Sequence, residues 1–173
     1  MSAYTIPEYL LDRANIHDTV TKVPLYYDTT NLAGLAAEVY ADSIEVDYTS
    51  LLGGEPYTIS RQDFVDKIRT IMDGFASCQH ITTGVVANLP QPAPGATRPE
   101  TVLVRAQVNG NLVGKPSEDG TLPLTQNGGL LEAELRRDLE LEKQGINPWR
   151  ITKYKVIKRW DRGETKVLDS AKD

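Results

Sequence analysis

Three short segments of the chain contain side chains that can move protons during a reaction: LYYDTTN (25–31), IEVDYTS (44–50) and CQHITTG (78–84). Histidine suits both general acid and general base catalysis because its ordinary pKa lies near neutrality. A carboxylate bonded to one ring nitrogen fixes the tautomer and stabilises the imidazolium as it forms. Tyrosine hydroxyls aimed at a carbonyl oxygen, directly or through water, stabilise developing enolate charge. Together these residue types can eliminate water β to a carbonyl or shift a double bond.

The composition of the 173-residue chain is typical of one globular domain, with 25% charged residues and a net charge of −5. Lys and Arg do not cluster before the last strand, which gives no support for nucleic-acid binding. The single cysteine, Cys78, excludes an internal disulfide and a zinc site made of cysteines. We find no signal peptide and no run of about 20 apolar residues, so we predict a cytoplasmic protein without a membrane partner. The sequence shows no cluster of metal ligands, and we predict no metal and no cofactor.

The first part of the sequence has mainly helical periodicity. Asn31 and Ser60 are suitable N-cap residues for the second and third helices, and Pro24 is expected to kink or shorten the first. We predict helices over 8–27, 31–43 and 60–74, with a short strand over 44–51.

The rest of the sequence indicates long antiparallel strands. The segment 129–142 is ambiguous, because its composition favours helix while Leu131, Ala133 and Leu135 alternate with charged residues. We interpret it as a strand. Three N-terminal helices followed by long strands predict an α+β fold, in which a curved antiparallel sheet packs on the helices. The four predicted strands cover 78–89, 100–113, 129–142 and 149–160.

The order of these elements and the three segments resemble the nuclear-transport-factor-2-like superfamily. Within it the chain is similar to the SnoaL-like proteins, and most specifically to the scytalone dehydratases. LYYDTTN resembles the Tyr-Asp pair at the end of that family's first helix. IEVDYTS resembles its Asp-Tyr strand, and CQHITTG the Gln-His pair opening its first long strand. The resemblance covers about residues 5–160 and implies a single SnoaL-like domain, a cone-shaped α+β barrel, over 1–173.

The resemblance also implies roles for individual residues. Asp28 and His80 would form an acid/base pair, while Tyr27 and Tyr48 would hold a water molecule against the substrate carbonyl. Arg137 matches an arginine found in many SnoaL-like strands and would face the pocket.

The sequence departs from the family pattern in two places. The family's second pocket histidine is absent, and the corresponding stretch offers Asn109 and Asn111 as substrate-binding residues instead. The family's pocket asparagine on the following strand falls near Leu135 and is absent as well. Because both absent residues belong to the family's pocket, their absence bears on which substrate this chain takes and on whether it carries out the dehydration step.

Each candidate residue also has a purely structural interpretation. Asp28 could cap a helix end, and His80 could be a core histidine bonded to a backbone carbonyl. Tyr27 and Tyr48 could simply fill the core. Arg137 becomes solvated surface if its strand carries a bulge or slips by one residue.

The sequence therefore predicts a cofactor-independent lyase or isomerase, acting on a small cyclic, largely apolar carbonyl substrate. A polyketide or terpenoid intermediate of secondary metabolism is such a substrate. The alternatives are a cyclase or epoxide hydrolase on the same fold, and a non-catalytic ligand-binding or assembly subunit. Because sheets of this kind present one face to another subunit, we also predict a homo-oligomer, a dimer or a trimer.

Overall fold

The computed structural model describes residues 3–164. The predicted domain over 1–173 therefore includes two short ends, 1–2 and 165–173, that lie outside the described residues. The helices are α1 (Ile6–Asp28), α2 (Leu32–Gly34, continued by the π-helical Leu35–Val39), α3 (Thr49–Leu52), α4 (Arg61–Asp73) and α5 (Leu139–Lys143). The strands are β1 (Tyr40–Asp47), β2 (Tyr57–Ser60), β3 (Phe75–Ala87), β4 (Thr101–Gly114), β5 (Leu124–Arg137) and β6 (Trp149–Gly163).

The two long helices begin at the caps that the sequence supplies. Thr5 and Glu8 form a reciprocal capping box at the start of α1, and Ser60 caps α4 by accepting the backbone N–H of Asp63. Pro24 lies inside α1 without ending it, so the helix continues to Asp28. Among the described residues, no helix is both long and apolar enough to span a membrane.

The six strands form one mixed sheet in the order β2-β1-β6-β5-β4-β3. All neighbouring strands are antiparallel except β1 and β6, which run parallel. Pairing shifts interrupt the register in β3, β5 and β6, and such bulges increase the local twist of a sheet. The predicted α+β fold with a curved sheet is confirmed, with the difference that one strand pair is parallel.

The sheet packs one face against α1 and α4, and we call this the inner face. The core between them is dense and aromatic, as the burial of these side chains shows. Its largest fully buried members are Trp149, Tyr40, Phe64, Ile16, Leu35 and Ile44.

The predicted strand over 129–142 is correct only in part. It begins earlier and ends earlier, at Leu124–Arg137, and the last predicted residues form the short helix α5. Asp138 ends the strand because its carboxylate accepts the backbone N–H groups of Glu140 and Leu141, which caps a helix. Beyond that cap, the helix propensity of Leu, Glu and Lys determines the conformation.

The boundary between the second helix and the first strand also differs from the prediction. Helical structure ends at Val39, and β1 already begins at Tyr40 inside the predicted helix 31–43. Ala, Glu and Val give this stretch no decisive local preference. Pairing of β1 with both β2 and β6 decides in favour of strand, since strand preference depends on neighbours more than on the isolated sequence.

A buried carboxylate on α1 connects the loop after β3 with the start of β6. Asp12 accepts two bonds from the guanidinium of Arg98, at 2.8 and 2.7 Å, and one from the indole Nε1 of Trp149 at 2.9 Å. The hydroxyl of Tyr4 donates a fourth bond at 3.0 Å. Four donors satisfy the carboxylate fully, as a buried charge requires.

Candidate active site

A cavity of about 110 Å³ lies between the inner face of the sheet and helices α1, α3 and α4. For comparison, an apolar cavity of about 150 Å³ can hold benzene, so a ligand in this cavity must be small. The helices supply mainly apolar side chains to its wall, and the strands supply both apolar and polar ones. The apolar members include Val23, Leu51, Leu52, Ile68, Ile71 and Met72.

The structure brings Asp28 and His80 into direct contact at the wall of this cavity. Asp28 is the last residue of α1, and His80 lies in the first half of β3. His80 Nδ1 lies 2.6 Å from Asp28 Oδ1, and the His80 backbone N–H donates to Asp28 Oδ2 at 2.7 Å. Both side chains are largely buried, with 26% of His80 and 19% of Asp28 exposed. One carboxylate therefore fixes both the position and the ring orientation of the histidine.

The carboxyl group of this pair is ionised at neutral pH. Burial by itself raises the pKa of Asp28, but the hydrogen bonds from the His80 ring and backbone outweigh burial and lower the pKa overall. Because the carboxylate carries no proton, Nδ1 must donate in this bond. The other ring nitrogen, Nε2, is then the one with a free electron pair.

The predicted tyrosines both line the cavity, and their hydroxyls are near each other. The hydroxyl oxygen of Tyr27 lies 2.7 Å from that of Tyr40 and 3.5 Å from that of Tyr48. The ring of Tyr27 also packs edge-on against the ring of His80, with centroids 6.1 Å apart. Burial raises the pKa of Tyr27 and Tyr48 well above the ordinary value, so both hydroxyls stay protonated and can donate.

The strand β6 adds a third tyrosine that the sequence did not indicate as a pocket residue. Tyr154 lines the cavity, is 6% exposed and packs edge-on against Tyr48 at 6.0 Å between centroids. The alternation of β6 places it on the inner face, but alternation alone does not tell which inward residues meet a cavity and which fill the core.

Asn127 on β5 is the pocket residue that sequence reasoning missed. His80, Gly110 and Asn127 occupy one row across β3, β4 and β5, and all three line the cavity. A Cβ at Gly110 would lie 3.0 Å from Asn127 Oδ1 and 3.5 Å from His80 Cδ2. The glycine therefore leaves room for both polar side chains on the same row.

The assignment of the family's pocket asparagine to the region of Leu135 stays a prediction. Asn127 was not considered because the predicted strand begins at 129, whereas β5 begins at Leu124. The inward alternation of Leu131 and Leu135 could have located Asn127, because the same period of two continues upstream to it.

The substrate-binding candidates on β4 differ in position. Asn109 borders the cavity, but its side-chain Oδ1 lies over Gly128 beside the indole of Trp160, on the face of the sheet away from the cavity. The prediction that its side chain binds substrate is therefore wrong. Asn111 is not among the lining residues, and its Oδ1 accepts a hydrogen bond from Gln126 Nε2 at 2.8 Å. The prediction that Asn111 lines the pocket is therefore wrong.

The prediction for Arg137 is also wrong, because this side chain does not line the cavity. Its Nη1 lies 3.5 Å from Glu142 Oε2 at the end of β5, and 12% of the side chain is exposed. Arg137 shares the parity of Asn127 but lies ten residues further along the strand. At about 3.3 Å per residue, that separates the two by roughly 30 Å.

Three side chains in the described part of the chain are grouped as metal ligands usually are. One ligand atom each from Asp28, Cys78 and His80 lies within 4.8 Å of the others. Burial first, and then the neighbouring Asp28 carboxylate, raises the pKa of the Cys78 thiol to about 11. Cys78 Sγ also lies 3.8 Å from Met72 Sδ. No local pattern indicates this group, because Asp28 and Cys78 are 50 positions apart in the sequence.

Comparison with known proteins gives one family match. A family model described as a SnoaL-like domain matches residues 8–155. Among curated protein sequences, none matches the chain significantly.

Solved structures resemble the whole chain at low sequence identity. The Kfla4162 protein from Kribbella flavida superimposes with a TM-score of 0.76 at 19% identity, covering 91% of this chain and 97% of that one. The hexachlorocyclohexane dehydrochlorinase LinA-type3 from Novosphingobium barchaimii superimposes with a TM-score of 0.68 at 14% identity. The match covers 92% of this chain and 94% of that one. A protein from Novosphingobium aromaticivorans, assigned as a scytalone dehydratase, superimposes with a TM-score of 0.67 at 13% identity. The match covers 90% of this chain and 89% of that one. At these identities the likeness establishes the fold alone, the cone-shaped nuclear-transport-factor-2-like fold that the sequence predicted.

Proposed function

The chain belongs to the SnoaL-like family, and from that premise we propose that it is a cofactor-independent lyase of the dehydratase type. The observation that carries the proposal is the contact between Asp28 and His80 at the wall of an apolar cavity. A titratable pair in a cleft is the arrangement expected of a general acid/base site.

In the proposed reaction His80 first acts as a base. Its Nε2 takes a proton from the carbon next to the substrate carbonyl, and the electrons of that C–H bond move toward the carbonyl, giving an enolate. The Asp28 carboxylate stabilises the resulting imidazolium through the bond to Nδ1. Such a positioned pair contributes about 10²–10⁴-fold in rate.

His80 then acts as an acid in the second half of the proposed reaction. The enolate electrons form the new double bond, and the C–O bond at the β-carbon breaks with its electron pair on the leaving oxygen. That oxygen takes the proton from Nε2 and departs as water, which returns His80 to its neutral form. Atoms and charges balance without a further reactant.

The hydroxyls of Tyr27 and Tyr48 would hold the carbonyl oxygen in this proposal. Both are buried, both stay protonated, and both line the cavity beside the His80 ring. Donors fixed before the reaction stabilise enolate charge without having to reorganise. Asn127 adds an amide on the same row as His80, where it can bind a further substrate oxygen.

The size and lining of the cavity support a small cyclic substrate with an apolar body. A volume of about 110 Å³ limits the substrate to a small molecule, and the helical wall is apolar except for the Tyr27 hydroxyl. The other polar side chains of the wall include His80 and Asn127 on the strands. A ring carrying a carbonyl and a β-hydroxyl on one edge, such as an intermediate of polyketide or terpenoid metabolism, would match both walls.

The open cavity and the Asp28–His80 contact favour an enzyme over a non-catalytic assembly subunit. A subunit that only assembles would have no need of an unfilled cavity, because unfilled space reduces stability. The same two features are compatible with a cyclase or an epoxide hydrolase, which use the same kinds of groups, and only turnover distinguishes these reactions.

The proposal is tested by screening cyclic β-hydroxy ketones and enones for elimination or isomerisation, followed by absorbance of the conjugated product. For an active substrate, His80→Gln and Asp28→Asn should each lower kcat at least about 10²-fold. The matched controls are His17→Gln and Asp18→Asn on α1, where neither side chain lines the cavity, and both should retain turnover. Unchanged turnover in both active-site variants would refute the proposal.

A further inference from the structure

We propose that Asp28, Cys78 and His80 form a binding site for a thiophilic divalent cation such as Zn²⁺, and that the bound ion switches off the acid/base pair. Binding at this site is independent of the proposed function, whereas the inhibition rests on it. The three side chains come from two elements. Asp28 ends α1, while Cys78 and His80 lie two residues apart on the same face of β3.

The spacing of the ligand atoms suits a tetrahedral ion after small side-chain movements. Zn²⁺ bonds of about 2.0–2.3 Å place tetrahedral ligand atoms roughly 3.3–3.7 Å apart. Asp28 Oδ1 and His80 Nδ1 are 2.6 Å apart, and all three ligand atoms lie within 4.8 Å of one another. The Asp28–His80 pair must therefore open by less than about 1 Å, and the sulfur needs to move inward by no more than about 1 Å.

The chemistry of the donors selects the kind of ion. A thiolate, an imidazole and a carboxylate together favour Zn²⁺ over Mg²⁺ or Ca²⁺, which prefer oxygen ligands only. The thioether of Met72 lies 3.8 Å from Cys78 Sγ and adds a second soft atom on that side. Three protein ligands leave one tetrahedral position, which water would complete. On binding, the Cys78 thiol releases its proton to solvent.

An ion on Nδ1 would stop His80 from acting as a base. Neutral imidazole carries one proton, and coordination of Nδ1 leaves that proton on Nε2. Nε2 is the nitrogen that takes the substrate proton in the proposed reaction, so its electron pair is no longer free. The Asp28 carboxylate binds the ion at the same time and ceases to support an imidazolium.

The test is a titration of metal-free, reduced protein with Co²⁺, followed by the near-ultraviolet charge-transfer band of a cobalt–thiolate bond. Cys78 is the single cysteine of the chain, so this band reports on one site. We expect a band that saturates at one ion per chain and disappears when Zn²⁺ is added. Cys78→Ser should abolish the band, and His80→Gln should weaken Co²⁺ binding at least about 10-fold. The control His17→Gln, whose histidine contacts the Val85 carbonyl instead, should bind as the original chain does.

A second measurement does not depend on any variant folding correctly. Zn²⁺ should slow alkylation of the Cys78 thiol in the unaltered chain, whereas Mg²⁺ should not. Absence of the band together with unprotected alkylation would overturn the metal site. If Co²⁺ binds but Zn²⁺ leaves turnover of an active substrate unchanged, the site stands and its inhibitory role is refuted. A chain that binds Co²⁺ but turns over no substrate argues against the proposed function alone.

Discussion

The hydroxyl of Tyr27 has tyrosine hydroxyls on two sides. Tyr40 lies behind it at 2.7 Å, fully buried, and Tyr48 lies beside it at 3.5 Å on the cavity wall. Burial raises the pKa of all three, so this row of hydroxyls remains neutral. Either hydroxyl of the Tyr27–Tyr40 pair can donate to the other. If Tyr40 donates, it leaves the Tyr27 proton free, and Tyr40 is then a positioning residue for the carbonyl-binding role proposed for Tyr27.

We expect Tyr27→Phe to lower kcat by about 10²–10³-fold on an active substrate, the usual cost of removing one donor from an oxyanion site. The neighbouring Tyr26→Phe is the matched control, because Tyr26 bonds to Glu38 and does not line the cavity. Steady-state kinetics on both variants makes the comparison. Equal turnover by the two variants would remove Tyr27 from the proposed mechanism.

The loop between β3 and β4, helix α1 and strand β6 are connected through a single carboxylate. Asp12 is fully buried and binds Arg98 from the loop and Trp149 from β6. Arg98 also pairs with Glu142 on α5, which extends the connection to a fourth element. This network holds the end of the sheet opposite the cavity, so we expect it to affect stability rather than chemistry.

We expect Asp12→Asn to lower the free energy of unfolding at pH 7 by about 3–5 kcal/mol, because it leaves the buried Arg98 cation without its partner. Asp18→Asn, at an exposed position on the same helix, should change it by no more than about 0.5 kcal/mol. Urea unfolding of the three proteins measures both differences. A small loss in Asp12→Asn would mean that Glu142 alone satisfies Arg98.

The same network gives a pH dependence with a definite sign. Burial raises the pKa of Asp12, but hydrogen bonds from Arg98 and Trp149 outweigh burial and lower the pKa in the folded state. Its contribution is therefore complete above the ordinary carboxyl pKa of about 3.9 and is lost as the pH falls through the lower folded value. The stability difference between the original chain and Asp12→Asn should be constant from pH 7 to about pH 5 and smaller at about pH 3. A difference that does not change would contradict the assignment to Asp12.

The outer face of the sheet exposes two large apolar side chains, Ile81 and Trp160, at the two ends of one row across four strands. Ile81 pairs with Asn109, Asn109 with Gly128, and Gly128 with Trp160. Ile81 is 42% exposed and Trp160 49% exposed. Exposed aromatic and aliphatic groups on a sheet are typical of a subunit interface, which agrees with the proposed homo-oligomer.

We expect the chain in solution to have two or three times the mass of one subunit, as measured by light scattering during gel filtration. Trp160→Glu should shift this mass toward the monomer, since a buried unpaired charge opposes association. Leu10→Glu is the control, because Leu10 is 55% exposed on α1 and lies away from the outer face. A monomeric unaltered chain would refute the proposed oligomer, and dissociation by both variants would refute the role of this face.

The sequence by itself determined most of the elements and the order in which they follow one another. Caps at Asn31 and Ser60, helical periodicity, and alternation along the later strands are local signals, and they act over only a few residues. The cone-shaped fold and the candidate pair Asp28 and His80 came from the resemblance that the three short segments carry. The functional roles of those residues remain predictions.

Only the tertiary structure decided which inward-facing residues meet in the cavity. A period of two assigns a face of the sheet but not a position along the strand, so Asn127 and Arg137 were equivalent in the sequence. Long-range pairing places Asn127 beside Gly110 and His80, whereas Arg137, at the end of β5, lies near Glu142 five residues further along the chain. Cys78 joins Asp28 for the same reason, because the contact between α1 and β3 joins residues that no local signal relates. Strand register and helix packing fix such distances, and both are properties of the whole folded chain.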